Sequence, residues 1–268
     1  MKKILFASSE AVPFIKTGGL ADVVGSLPKY FPKNEYDVRV VVPKYMCMDR
    51  KYTEEMKLVT ECQVQLNWRT QYAGVYERKE DGVTFYFIDN EYYFAGPAPY
   101  GQIYQDAEKF AYFSKAVLTI LPEIGFQPDI IHCHDWQTGL IPVFLEAQFR
   151  QNEFYRYMRT VYTIHNMKFQ GRWYVDAIRD VIELPIDDIL DINGWDLQKT
   201  LRLLYKSNPT LFEWFSSPIV YQETEFADKL RDLMMHYFSS KKTLYHYISM
   251  AEGNYREYLQ GEIVRVKK

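Results

Sequence analysis

Three short stretches carry residue types that could do chemistry together. The first, Lys16-Thr17-Gly18-Gly19-Leu20-Ala21-Asp22-Val23-Val24, follows a β-rich run and opens a helical pattern. Two adjacent glycines let the backbone approach an anion closely, free N–H groups at a helix start point toward it, and Lys16 adds a full positive charge. That combination suits a diphosphate, although a Gly-Gly pair after a strand is also an ordinary turn. The second stretch, Ile130-Ile131-His132-Cys133-His134-Asp135-Trp136-Gln137, reads as a buried strand whose polar residues begin at its carboxyl end. The third, Val161-Tyr162-Thr163-Ile164-His165-Asn166, has the same design. Ligands of open parallel sheets bind beyond the carboxyl ends of the strands, so three strands delivering Lys16, Asp135 and His165 there would build one site. Taken singly, each histidine is also compatible with a structural role. His132 and His134 alternate on a strand and so project to one face. With Asp135 and His165 they define a second chemistry, a metal-dependent hydrolase, for which no further ligand motif is evident.

Such an edge requires a parallel sheet, and the first half of the chain has the pattern for one. Short β-rich runs, Lys3 to Ser8, Val38 to Val42, Val83 to Ile88, Asp129 to His134 and Thr160 to His165, alternate with helical patterns. Residues 107–124 place Phe110, Phe113, Val117, Ile120 and Leu121 on one helical face, to be laid against the sheet. A further helix is expected over 138–149. Residues 59–78 alternate like a hairpin, which makes the expected sheet mixed rather than purely parallel. After Gly171 the period changes. Leu197, Leu201 and Leu204 share a helical face, Asn208-Pro209 is a helix start, and two more apolar stripes follow, at 226–237 and 244–251. The expected architecture is therefore α/β over residues 1–171, with a mixed, mainly parallel, Rossmann-like sheet, followed by a mostly α-helical region over 172–268.

Composition narrows the classes of function. A chain of 268 residues with a formal net charge of -3 and interspersed acids and bases offers no basic face for nucleic acid and no polybasic membrane signal. Its apolar N-terminal run is shorter than a signal-peptide core, and no later run approaches a membrane span, so a cytoplasmic protein is expected. Cys47, Cys62 and Cys133 are odd in number and lack paired spacing, which points to reduced thiols rather than disulfides or a zinc cluster.

The motifs also carry a family resemblance. Ser8-Ser9-Glu10-Ala11-Val12-Pro13-Phe14-Ile15-Lys16-Thr17-Gly18-Gly19-Leu20-Ala21-Asp22-Val23-Val24-Gly25-Ser26-Leu27-Pro28-Lys29 resembles the start of bacterial glycogen and starch synthases. The similarity continues through Phe87 to Phe94, Phe110 to Ser114, His134 to Gln137 and Thr163 to Gly171. Many family members carry histidine where Gln137 stands. The resemblance implies a GT-B glucosyltransferase that passes glucose from ADP-glucose to the end of an α-1,4-glucan such as glycogen, with retention of configuration and no metal or other cofactor. It places Lys16, Gly18 and Gly19 on the diphosphate or acceptor side of a cleft. Asp135 and His165 would hold the transferred glucose as the catalytic pair, and Asp22 and Asn166 would line the acceptor side.

Beyond Gly171 the resemblance to a synthase stops and another begins. Arg179 to Asp188, Asp191 to Leu197, Lys206 to Pro209, Trp214 to Tyr221 and Ala251 to Leu259 resemble the later part of bacterial nucleotidyltransferases related to DNA polymerase β, without that family's catalytic Gly-Ser and paired aspartates. Two partial resemblances joined without a linker suggest a truncated or fused form with little or no transfer activity alone. A non-catalytic protein binding glucan or nucleotide sugar is the remaining alternative.

Overall fold

A computed structural model describes residues 1–101, 103–166, 171 and 181. The helical stripes expected from Asn193 onward and the acidic residues Asp187, Asp188 and Asp191 lie outside these residues. The strands are β1 (Lys2–Ala7), β2 (Tyr36–Pro43), β3 (Lys57–Leu66), β4 (Arg69–Glu80), β5 (Val83–Asp89), β6 (Ile130–His134) and β7 (Arg159–Thr163). They form one sheet in the order β3-β4-β5-β2-β1-β6-β7. β5, β2, β1, β6 and β7 run parallel, while β4 is antiparallel to β5 and to β3. The mixed sheet expected from the alternation of residues 59–78 is the one observed, with the hairpin extending one edge.

The helices are α1 (Gly19–Ser26), α2 (Arg50–Thr53), α3 (Glu91–Phe94), α4 (Ile103–Glu123) and α5 (Leu140–Phe144). In α4 the stripe Phe110, Phe113, Val117, Ile120 and Leu121 is buried as expected, but Ala111, Tyr112, Ala116 and Leu118 are buried too. A helix buried on more than one face needs cover from several elements, and α4 packs against β3, β5 and α5. The helix expected over 138–149 is interrupted. A 3₁₀ turn at Trp136–Thr138 precedes α5, and a π turn, Leu145–Phe149, follows it. The Thr138 hydroxyl donates back to the carbonyls of His134 and Asp135 at 2.9 and 3.1 Å, holding the start of this segment to the end of β6. At its far end, the Arg150 guanidinium donates to the carbonyls of Tyr155, Arg156 and Met158. These caps replace the regular helical bonds that the irregular turns give up.

Between sheet and helices lies a core rich in aromatic rings. Phe14, in the loop after β1, packs edge-on against Phe85 and Phe87 of β5, each at 4.9 Å between centroids, which anchors that loop to the sheet. All three cysteines are free thiols, and burial pushes the Cys133 thiol up, away from reactivity at neutral pH.

Helix α1 lies directly on the same loop. The Val12 N–H donates to the Ala21 carbonyl at 3.0 Å, and a Cβ added at Gly25 would strike the Val12 carbonyl oxygen and Cγ2. Gly25→Ala must therefore push helix and loop apart. Overpacking of this kind costs about 1–3 kcal/mol, and urea unfolding should show a lower midpoint with an unchanged slope.

Candidate functional site

The order β2-β1-β6 places a topological switch beside β1, where chain connections leave in opposite directions. A crevice forms at such a point beyond the carboxyl ends of the strands. Register fixes what enters it. Phe6 pairs with His132, Ala7 with Cys133, and His134 with Thr163, so the ends of β1, β6 and β7 lie side by side. Asp135 follows β6 immediately, and His165 comes two residues after β7.

Asp135 occupies a backbone conformation that side-chain-bearing residues rarely adopt, φ 56° and ψ 177°. Such strain persists only where surrounding bonds over-determine it, and it concentrates at functional positions. Here the Asp135 N–H donates to the Thr163 carbonyl at 2.9 Å, and its own carbonyl accepts from the Thr138 N–H at 3.1 Å. Its carboxylate accepts the His165 N–H at 2.6 Å. Burial pushes the Asp135 carboxyl up to about 6, opposed by the backbone bonds from His165 and Asn166 and reinforced by the charge of Glu10. Asn166 itself is exposed.

The histidines form a stack. His132 and His134 lie 4.1 Å apart between ring centroids, and His134 and His165 lie 5.2 Å apart with their planes 21° from parallel. Phe6 of β1 covers both β6 rings. The His132 Nε2 bonds to the Thr163 hydroxyl at 2.7 Å, and the His134 Nδ1 to the His165 Nε2 at 2.9 Å. Burial lowers all three imidazoles, His132 to about 4 and His134 well below the ordinary range, so they are neutral at pH 7. The projection of His132 and His134 to one face is as the alternation requires. One nitrogen of each, however, is engaged, His132 Nε2 with Thr163 and His134 Nδ1 with His165, and no group of three or more His, Cys, Asp or Glu among the described residues is arranged to hold a metal ion.

Lys16 and Asp22 pair with each other, at 2.7 and 2.8 Å to the two carboxylate oxygens, and both are about half exposed. An exposed pair of this kind contributes little to stability, so the ammonium is available to a stronger anion. Gly18 is the extended residue before α1, and no side chain caps the helix there. The chain itself does not require either glycine: a Cβ at Gly18 or Gly19 meets nothing within 4 Å, and neither residue has a left-handed backbone. Space kept clear at an uncapped helix start is what a closely approaching anion needs.

Sequence reasoning missed Glu10. It is buried, and its carboxylate accepts the Thr17 N–H, the Thr17 hydroxyl at 2.7 Å, the Gly18 N–H at 3.3 Å and the Tyr100 hydroxyl at 2.6 Å. Since Tyr100 donates to Glu10, the Ser9 hydroxyl 2.7 Å away donates to Tyr100. Two of the N–H groups expected to face an anion are therefore already bound by an internal carboxylate. The donors left for a ligand begin at Gly19. The available signal was the lone acid three residues after an apolar strand.

These features coincide with the findings from known proteins. Residues 3–233 match the family model for the starch synthase catalytic domain. The chain belongs to that family. Over 184 residues it is 61% identical to a glycogen synthase of Lachnoclostridium phytofermentans, and over 185 residues 60% identical to one of Lachnospira eligens. Each alignment covers 69% of this chain but only 38% and 39% of the two relatives, so the chain spans under two fifths of their length. The solved catalytic domain of starch synthase IV from Arabidopsis thaliana, bound to ADP and acarbose, superposes with a TM-score of 0.63 at 26% identity, covering 72% of this chain and 39% of that one. The α/β architecture is thus that of the GT-B glycosyltransferases. The starch synthase match runs past Gly171, further than the motifs alone carried it. Among the described residues, no helix is long and apolar enough to cross a membrane.

Two predictions test this geometry. A carboxyl group raised from 3.8 to about 6 by folding contributes stability below its unfolded value and loses it as pH rises through about 6. Asp135→Asn should therefore be more favourable at about pH 7.5 than at about pH 4, by about 2 kcal/mol in the variant-minus-native difference. The depressed histidines act in the opposite direction, losing stability as pH falls, but are common to both proteins. Urea unfolding at the two pH values measures the difference, and equal values would show that the carboxyl is not raised. For Glu10→Ala, the loss of the carboxylate leaves the Thr17 and Gly18 N–H groups, both held by one of its oxygens, without their acceptor, at a cost of about 1–3 kcal/mol each. Amide hydrogen exchange should accelerate at Thr17 and Gly18 while the β1 and β2 amides stay protected.

Proposed function

We propose that this chain forms the sugar-nucleotide wall of a glycogen or starch synthase type glucosyltransferase, with ADP-glucose as donor and an α-1,4-glucan such as glycogen as acceptor. One observation carries the reading. Lys16 and an uncapped, sterically open Gly18-Gly19 helix start stand at the same sheet edge as the strained Asp135 and His165. In this role Lys16 exchanges Asp22 for the diphosphate, and the first-turn N–H groups of α1 add their donors. The Asp135 carboxylate and the His165 imidazole accept and donate hydrogen bonds to the glucose hydroxyls, while Asp22 and Asn166 face the acceptor. The contribution is positional and electrostatic, with fixed dipoles aimed where charge develops on the departing phosphate. The His134 Nδ1 and His165 Nε2 bond to each other rather than converging on a shared point, and no metal ligand set is found among the described residues, which favours this reading over a metal-dependent hydrolase.

The neutral histidine stack suits a site that must not repel a cationic sugar transition state. Full transfer chemistry also calls on donors across a closed, water-free cleft. Ligand binding is therefore the property expected of these 268 residues, with glucose transfer slow.

Calorimetric titration with ADP-glucose tests the proposal. Lys16→Ala should weaken binding about 10- to 100-fold, the effect of losing one charge-assisted contact. Gly18→Ala should fold with unchanged stability yet bind more weakly, because its methyl group enters the space left for the diphosphate. Native affinity in both variants would remove this loop from the site. Rapid glucan-dependent release of ADP by the chain, abolished in His165→Ala, would overturn the expectation of slow transfer.

A further inference from the structure

The middle histidine of the stack has no role in the reading above. His134 is fully buried at the end of β6, sandwiched between Phe6 at 5.2 Å and the ring of His165 at 5.2 Å. Its Nδ1 lies 2.9 Å from the Nε2 of His165. Its Nε2 is buried and has no hydrogen-bond partner among the described residues. One proton bridges the two rings, and which ring owns it decides what His165 offers a ligand.

Two arrangements are open to a pair of neutral imidazoles. If His165 donated from Nε2, the His134 proton would have to sit on its own Nε2, where a buried N–H would be left without an acceptor. If His134 donates from Nδ1, the unpartnered atom is instead a bare nitrogen lone pair, and His165 carries its proton on Nδ1. Orphaned buried N–H groups are rarer in folded proteins than under-satisfied acceptors. Desolvation, together with the neighbouring His132 and His165, keeps His134 neutral, so it does not escape the choice by taking a second proton. We infer that His134 is a positioning residue: its Nδ1–H, donated to His165 Nε2, fixes His165 in the Nδ1–H tautomer and so presents a hydrogen-bond donor, rather than an acceptor, to the ligand.

The inference rests on the proposed function only in taking His165 as a ligand-facing group. The geometry supports that assignment of a free face. Among the described residues the His165 side chain makes its hydrogen bond through Nε2 alone, and the residue is partly exposed. The main chain is fixed independently, by the His165 N–H on Asp135. Backbone and ring are thus held by separate contacts, so the ring can be perturbed without moving the loop.

Long-range proton–nitrogen correlation spectra of the ¹⁵N-labelled chain read the tautomers directly, with no ligand present. His165→Gln and His134→Asn assign the signals among the five histidines. The expected native spectrum has His165 and His134 both protonated on Nδ1. His134→Asn can supply an amide N–H near the same position and should keep the His165 signal in that form. His134→Phe keeps the stacking but removes the donor, and should release His165 into a mixture of tautomers with the backbone amide spectrum preserved. His165 protonated on Nε2 in the native chain overturns the inference, whatever the variants do, and so does an unchanged His165 signal in a folded His134→Phe. If the Phe variant does not fold, the native and Asn spectra decide. Adding ADP-glucose separates this from the proposed function. Native Nδ1–H signals that do not respond to ADP-glucose would count against His165 as a group of the proposed binding site, while the tautomer set by His134 would stand.

Discussion

The register of β6 between β1 and β7 is the constraint on which the site depends. Parallel pairing sets Phe6 beside His132 and His134 beside Thr163, and strand side chains alternate between faces. A slip of one residue would turn both histidines to the other face and carry Cys133 to theirs. The buried rings of Phe6, His132 and His134 hold that register through packing, while the Thr163 carbonyl accepts the Asp135 N–H one step beyond the strand. From this joint follow the strained turn at Asp135, the position of His165 and the neutrality of the whole histidine stack.

A second arrangement depends on the first strand in the same way. β1 ends in a loop whose apolar member, Phe14, is buried against β5, and whose acid, Glu10, turns inward. Glu10 accepts from two N–H groups and two hydroxyls, and no side chain caps the start of α1. The loop is rigid where it meets the protein and open where Gly18 and Gly19 face outward. Preorganisation of this kind lowers the cost of ordering the loop on a ligand.

Glycine has two physical uses in this chain. Gly25 is needed by the fold, because the Val12 carbonyl occupies the place of a side chain. Gly171, at φ 60°, would drive a Cβ into the Trp136 indole, 2.5 Å away. At Gly18 and Gly19 a Cβ would meet nothing within 4 Å, so packing makes no such demand there.

The sequence by itself determined the parallel core, the hairpin at its edge, the apolar face of α4 and the meeting of Asp135 and His165 beyond the carboxyl ends of β6 and β7. Those features follow from the period of apolar residues and from the handed connections of parallel strands, both local or nearly so. It also carried the family motifs. Only the tertiary structure decided the rest. The break in the helix expected over 138–149 goes with hydrogen bonds that reach beyond its two ends, from the Thr138 hydroxyl to the His134 and Asp135 carbonyls and from the Arg150 guanidinium to those of Tyr155, Arg156 and Met158. The inward turn of Glu10 depends on Tyr100, 90 residues away, and the neutral stack on Phe6, which covers His132 and His134, and on the His134 ring against which His165 lies. Hydrogen-bond partners and desolvation belong to neighbours in space, so no periodicity along the chain encodes them.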